Sequence, residues 1–219
     1  MKQNLVKRYC FFLLGLLINS FGIVLITKEA LGTSPISSVP YVISLIDPAL
    51  RFGLLTFIMN SIFIVLQILL LRKDFESVQL LQIVANFIFS YFIDVSMKLL
   101  AFLNPESIVL RLVILLLGCC VLAFGISIEV APQVITVPGE GIVKVLAQVL
   151  HKDFGKVKVA FDTTLMCTAL ALSLIFFHRL NGLGTGTIIS ALIVGRIVYF
   201  YNHHLGISKA IGRFVPEYA

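Results

Sequence analysis

Two short turns in the sequence combine hydroxyl side chains with proline and could bind a solute. They contain Thr33, Ser34 and Pro35 in the first turn, and Thr136, Pro138, Gly139 and Glu140 in the second. Proline suits the first turn of a helix, because its missing N–H has no intrahelical partner there. A helix that starts in this way directs free N–H groups and its positive dipole end at the turn, which favours an anion, a carboxylate or a polar oxygen. Hydroxyl capping is an alternative explanation of the Thr and Ser residues.

Ionisable side chains also lie inside two long apolar segments. Lys158 and Asp162 are one helical turn apart and share a helix face. They belong either to a functional site or to an ion pair that fixes helix register. Arg196 lies within the last apolar segment, where an unpaired cation is costly. We expect Asp162 or Asp94 to be its partner, and without a carboxylate it becomes a candidate for binding an anion.

The composition requires lipid around much of the chain. Of the 219 residues, 59% are hydrophobic and only 13% are charged, and the mean hydropathy is +1.04. Six apolar runs are each long enough to cross a hydrocarbon layer of about 30 Å. They cover residues 9–26, 54–71, 78–102, 109–128, 159–177 and 185–201. The sequence therefore predicts an all-α membrane protein whose main partner is the lipid bilayer.

The net charge of +6 does not indicate a nucleic-acid partner. Basic residues such as Lys7, Arg8, Arg72 and Lys73 flank the apolar runs, which is typical of topology signals beside anionic headgroups. The four cysteines lie within apolar runs without metal-ligand spacing, so we expect neither a metal site nor a disulfide. Because no nucleotide-binding loop or His-Glu-x-x-His motif is present, we expect no enzymatic activity and no cofactor.

The chain is similar to itself at an offset of 103 residues. This offset pairs Gly15 with Gly118, Gly22 with Gly125, Thr33 with Thr136 and Pro35 with Pro138. We interpret residues 1–219 as a single membrane domain with an internal repeat, 9–102 and 109–205. One residue of slippage pairs Asn60 with Asp162, so Asn60 joins the candidate site and charge coupling at this position is confined to the second half. The paired glycines also predict that the first and fourth runs pack together.

A short helix follows the turn in each half, at about residues 36–46 and 139–150. Each is under about 20 Å long, too short to span a membrane easily. We therefore predict about six transmembrane helices plus two short re-entrant or interfacial helices, with two related three-span halves inverted in the membrane. The alternative is eight spans with parallel repeats, and the distribution of Lys and Arg does not decide between them. Both topologies place the two termini in the cytoplasm.

The Leu31-Gly32-Thr33-Ser34-Pro35 turn after the first run resembles that of the YczE/YitT-like bacterial membrane proteins. The likeness continues in the second half through Pro138-Gly139-Glu140 and Gly184-Thr185-Gly186-Thr187. It implies a bacterial multi-pass protein of the cytoplasmic (inner) membrane, but it implies no reaction and no substrate. The sequence departs from the commoner family pattern at Ile36, where an aromatic residue often follows the proline.

These features favour a transporter or channel that moves a small polar or anionic solute by a secondary mechanism. Its site would combine the two turns with Asn60, Lys158, Asp162 and Arg196. The alternative is an accessory or scaffold protein without transport, and whether the chain forms a homo-oligomer stays open. A cavity that reaches both turns favours transport, whereas a packed midplane favours the scaffold. A polar stripe on the third run, Gln79, Gln82, Asn86 and Ser90, either lines a path or joins helices by hydrogen bonds.

Overall fold

The computed structural model describes residues 2–29, 31–47, 49–207 and 211, and over these residues it contains eight α-helices and no strand. The helices are α1 (Lys2–Lys28), α2 (Ser38–Ile46), α3 (Phe52–Leu71), α4 (Leu81–Leu99), α5 (Ile108–Val130), α6 (Pro138–Val149), α7 (Phe154–Phe177) and α8 (Thr185–His203). Met1 and residues 212–219 lie outside this range, and the predicted cytoplasmic location of the termini concerns these residues in part.

The six long helices coincide with the six predicted apolar runs, and the two short ones follow the two turns as expected. Among the described residues, five helices are long and apolar enough to cross a membrane, namely α1, α3, α4, α5 and α7. The sixth predicted span, α8, is 19 residues long but less apolar, because Arg196 interrupts it and Asn202 and His203 end it. The prediction of an all-α multi-pass membrane protein is confirmed.

Glycines set the central helix pair, α1 and α5. Gly15 lies against the backbone of Glu129, and Gly22 lies against the backbone of Leu122. A Cβ atom at Gly22 would be only 2.5 Å from the Leu122 nitrogen, so no larger residue fits at this separation. Later residues of α1 contact earlier residues of α5, so the two helices are antiparallel. The predicted packing of these runs through glycine is confirmed.

The short helices α2 and α6 do not carry the chain across the bundle. At the Arg8 end, where α1 begins and α5 ends, Arg8 Nε donates a hydrogen bond of 2.8 Å to the carbonyl of Pro132. At the opposite end, which we call the Lys28 end, Phe52 at the start of α3 packs in the same apolar cluster as Ile26 near the end of α1. The chain therefore leaves α1 and enters α3 at the same end.

From α5 to α8 the chain runs between the two ends in the opposite order. The loop between α7 and α8 lies at the Lys28 end, because the N–H of Gly186 donates a hydrogen bond of 3.0 Å to the carbonyl of Leu31. The long helix α7 must then begin at the Arg8 end, where α5 has ended. Helix α6 thus leaves and returns to that end, and the arrangement agrees with six long helices that alternate in direction.

Polar side chains join α3 to α4. Asn60 Nδ2 donates to Asn86 Oδ1 at 3.0 Å, and the amides of Gln67 and Gln82 exchange bonds of 3.3 Å. Of the two predicted roles for the polar stripe, the structure supports hydrogen bonding between helices. Helices α3 and α4 pack side by side, whereas α7 and α8 have no extensive contact in the described part of the chain. Helix α7 packs on α2 and α6 instead, and α8 packs on α5.

Candidate functional site

A cavity of about 380 Å³ lies at the middle of the bundle, beside Asn19 of α1, Asn60 of α3 and Leu122 of α5. Both turns reach it, and the structure gathers seven of the eleven predicted site residues around it. These seven are Ser34, Pro35, Asn60, Gly139, Glu140, Lys158 and Asp162. The cavity therefore brings together residues from both halves of the chain that are more than a hundred positions apart in sequence.

The two short helical segments begin at this cavity and face each other. Pro35 starts a single turn of 3-10 helix that leads into α2, and Pro138 is the first residue of α6. The Ile36 side chain contacts Gly139 so closely that a Cβ atom there would displace it. None of the hydrogen bonds found among the described residues uses the N–H of Ile36 or Gly139. Two backbone donors are thus available where the helix dipoles are positive.

The alternative explanation of the turns, hydroxyl capping, is wrong. Neither short helix has a side-chain cap: the residue before α6 is Val137, and the Ser34 hydroxyl donates instead to Ser37 Oγ at 3.0 Å. Both serines line the cavity and are buried. Their hydroxyl groups therefore add to the polar atoms at the helix starts rather than consuming them.

An ion pair lies at the rim of the cavity. Lys158 Nζ donates to Asp162 Oδ1 at 2.8 Å, and both side chains are partly exposed. The expectation that Asp162 or Asp94 pairs with Arg196 is wrong, because Asp94 lies 3.8 Å from Arg51 and accepts the N–H of Gly53. Arg196 is exposed on α8, does not line the cavity and has no ion pair within the residues described.

The other three predicted residues lie near the cavity but not on it. Thr33 is buried, its hydroxyl lies 3.0 Å from that of Thr27, and its N–H donates to Thr187 Oγ1. The Thr136 hydroxyl accepts a bond of 3.1 Å from Lys144 Nζ. The Pro138 carbonyl accepts a bond of 3.2 Å from Gln67 Nε2. These residues fix the turns in place and supply no groups to the central cavity.

A second cavity, which we call the vestibule, occupies about 480 Å³ at the Arg8 end. Its lining is rich in polar side chains, including Glu76, Gln79, Gln133, Thr136 and Lys144. Val137 and Glu140 line both the vestibule and the central cavity. These two residues therefore form the wall between the two spaces.

Sequence reasoning missed a buried contact beside these cavities. Glu129, in the last turn of α5, is buried, and its Oε2 accepts a bond of 2.7 Å from Asn19 Nδ2. Asn19 lines the central cavity and Glu129 lines the vestibule. Two features of the sequence could have predicted this contact: the single amide in the apolar run of α1, and the antiparallel alignment of α1 with α5 that the glycines impose.

The Lys28 end is closed by hydrogen bonds between the first turn and the start of α8. The N–H of Gly186 binds the Leu31 carbonyl, and the N–H of Thr33 donates to Thr187 Oγ1 at 3.1 Å. Glu29 lies fully buried against Gly186, and its Oε2 accepts the N–H of Leu31 at 2.8 Å. Burial raises the pKa of Glu29 from 4.5 to about 7, although the Leu31 N–H and the Arg111 cation favour the charged form.

The fold and the midplane cavity define a multi-pass helical membrane protein. The chain belongs to a family of unknown function, DUF6198, whose profile matches residues 6–203. It is 26% identical over 202 residues to the uncharacterized membrane protein YczE of Bacillus subtilis strain 168, a match that covers 91% of this chain and 87% of that protein. The resemblance to the YczE/YitT-like proteins is thereby confirmed. No solved structure matches the chain.

Proposed function

We propose that this protein is a secondary transporter that moves a small polar or anionic solute through the central cavity. The observation that carries the proposal is the cavity at mid-depth that both turns reach. The N–H groups of Ile36 and Gly139, which bond to none of the described residues, belong to its wall. Irregular backbone at membrane depth is tolerated where it lines a cavity, and broken helices of this kind bind solutes in many transporters. The membrane is the bacterial cytoplasmic membrane, with both termini in the cytoplasm.

The packing pattern supports two inverted halves, 9–102 and 109–205. Under this repeat α1 corresponds to α5, and these two helices form the antiparallel central pair. The contact of α2 with α7 corresponds to that of α6 with α3, and the contact of α1 with α4 corresponds to that of α5 with α8. Inverted halves of this kind permit alternating access around a fixed central site.

The two ends of the bundle differ in a way that fits one state of such a cycle. At the Lys28 end, Leu31 and Thr33 are bound directly to the start of α8. At the Arg8 end, the polar vestibule separates the corresponding second turn from the start of α4. The described state is therefore closed at the Lys28 end and open toward the cytoplasm as far as Val137 and Glu140. The opposite state requires release of the contacts between Leu31, Thr33 and α8.

Asp162 is the candidate group for proton or cation coupling. It is an ionisable residue at the rim of the cavity, and its counterpart in the first half is the neutral Asn60. Lys158 holds it in place through the bond of 2.8 Å. The rival interpretation, an accessory or scaffold protein, predicts a packed midplane, and the central cavity counts against it.

A screen by thermal stabilisation of the purified protein tests the proposal, because a solute that binds the folded state raises its unfolding temperature. The panel holds inorganic anions, carboxylates of short and long chain, amino acids and sugars. We expect at least one to stabilise the wild type but not Lys158→Met combined with Asp162→Asn. Lys156→Met is the matched control, since Lys156 is exposed on the same helix and does not line the cavity. A panel without any effect, or an equal effect on the pair variant, contradicts the proposal.

A further inference from the structure

The central cavity has an opening on one side of the bundle. Among the described residues that line it, the exposed ones are Val159 on α7 and Ala191 and Gly195 on α8. A Cβ atom at Gly195 would have no heavy atom within 4 Å. The opening therefore lies between α7 and α8, at the height of the Lys158–Asp162 pair on the rim.

This opening faces the hydrocarbon of the bilayer rather than an aqueous surface. Helices α7 and α8 are long and carry exposed apolar side chains, such as Val159, Ile175, Ile188 and Leu192. The corresponding gap in the first half is closed, because the Asn60–Asn86 and Gln67–Gln82 contacts hold α3 against α4. Among the described residues no side-chain hydrogen bond joins α7 to α8 and the two helices have no extensive contact, so the second half leaves a lateral passage.

The wall of the cavity has an apolar region and a polar region. The apolar region is formed by Leu122 and Ile126 of α5 and by Val194 and Val198 of α8. The polar region includes the N–H groups of Ile36 and Gly139 and the buried hydroxyls of Ser34 and Ser37, where the short helices begin. Further polar side chains line the cavity on the other helices, namely Asn19, Thr56, Asn60, Glu140, Lys158, Asp162 and Ser190. A fully hydrated solute would leave the apolar walls without a matching surface. A molecule with one small polar end and one apolar chain matches both regions.

We propose that the solute is a single-chain amphiphile with a carboxylate head, which passes between the bilayer and the cavity through the gap between α7 and α8. The inference rests on the proposed function and names the class of solute that the same site takes. The head lies against the starts of the two short helices, where backbone donors and helix dipoles favour a negative charge. The apolar tail of the amphiphile extends along the apolar wall and leaves the cavity past Gly195, where it packs among the acyl chains of the bilayer.

A dodecanoate with a photoreactive diazirine at the end of its chain tests this assignment in the full-length protein reconstituted in lipid nanodiscs. After irradiation, mass spectrometry locates the labelled peptides. We expect labels near Val159 and near Ala191 and Val194, and competition by unlabelled dodecanoate. Gly195→Phe fills the open space in the gap and should lower the labelling by about tenfold or more. Ala160→Phe is the control, because Ala160 is exposed on α7 away from the cavity.

Several outcomes overturn the assignment. Labelling that is unchanged in Gly195→Phe, or spread evenly over all lipid-facing helices, shows nonspecific contact with the bilayer. Disulfide formation between chains that carry Ala191→Cys shows that a second copy fills the gap. If water-soluble solutes stabilise the wild type and Gly195→Phe equally while dodecanoate does not label, the amphiphile is wrong and the transport proposal stands. If neither kind of ligand binds, both proposals fail. Equal melting temperatures of the two Phe variants establish that both are folded.

Discussion

Asn19 on α1, which lines the central cavity, and Glu129 on α5, which lines the vestibule, are joined by a hydrogen bond of 2.7 Å. Both side chains are buried. The bond lies where Gly15 and Gly125 bring the two helix backbones together. It links the tightest helix pair of the fold directly to the walls of both cavities.

Removal of the donor should therefore destabilise the protein. Asn19→Leu leaves a buried carboxylate oxygen of Glu129 without its partner, which costs about 1–3 kcal/mol. Combining Asn19→Leu with Glu129→Leu removes both polar groups and should recover part of this loss. Thermal unfolding of the three proteins in one detergent measures the effect. An Asn19→Leu protein that melts with the wild type would show that the bond contributes nothing to stability.

Close packing of α1 on α5 makes a second prediction. Gly22→Leu combined with Gly125→Leu places side chains where the Leu122 and Asn19 backbones already lie, so we expect a sharp loss of folded protein. Gly195→Leu is the control, because the space around Gly195 is open. The measurement is the yield of monodisperse protein by size-exclusion chromatography. Full yield and an unchanged melting temperature of the double variant would remove glycine packing from the account.

Topology can be tested by labelling from one side. If α2 does not cross the membrane, Lys28 and Arg51 lie on the same side, and Arg8 lies on the other. Single cysteines at these positions, in a background without the native four, should react with an impermeant thiol reagent in that pattern. Labelling of Lys28→Cys and Arg51→Cys from opposite sides would establish eight spans with parallel repeats instead.

Titration of Glu29 should make the stability of the folded protein fall as the pH rises. Its pKa is raised from 4.5 to about 7, so the folded state holds a proton that the unfolded state releases within this interval. The favourable contribution of protonated Glu29 is complete below about pH 4.5, is lost as the pH rises toward 7, and stays absent above that. Glu29→Gln resembles the protonated acid, so above pH 7 it should unfold at a higher temperature than the wild type, by the equivalent of roughly 3 kcal/mol at most.

The measurement for Glu29 is the unfolding temperature across about pH 5 to 8, with Glu76→Gln as the control. Glu76 is an exposed carboxylate at the Arg8 end and should leave the profile unchanged. We expect the wild type and Glu29→Gln to converge at the acidic end and to separate at the alkaline end. Parallel profiles over the whole range would show that Glu29 is not the titrating group.

Local features of this protein could be predicted from its sequence, whereas features that depend on distant helices could not. The apolar runs, the starts at Pro35 and Pro138 and the Lys158–Asp162 pair follow from spacing along the chain. That no carboxylate of the described residues pairs with Arg196 depends on which face α8 turns to α5, and no local pattern fixes that face.

Burial of Glu129 likewise requires the alignment of α1 with α5, which only the glycine contacts reveal. The gap between α7 and α8 could not be predicted from the sequence either. The two halves share a pattern that predicts the same packing for α3 with α4 and for α7 with α8, yet only the first pair has amides on both partners, at Asn60 and Asn86. The sequence shows that Asp162 stands where the first half has Asn60, but it does not show that α7 and α8 are separated as a result.

The central claim is that water and solute reach the middle of this bundle. Ser34→Cys, in a background without native cysteines, places a thiol on the cavity wall, and Ala123→Cys places one in the closed packing of α5. The measurement is the rate at which a small impermeant thiol reagent modifies each variant in membrane vesicles of known orientation. The account predicts that the wall formed by Val137 and Glu140 opens during the transport cycle, so that Ser34→Cys reacts from the cytoplasmic side much faster than Ala123→Cys. A Ser34→Cys protein as unreactive as Ala123→Cys from both sides would mean a dry midplane and would contradict transport through this cavity.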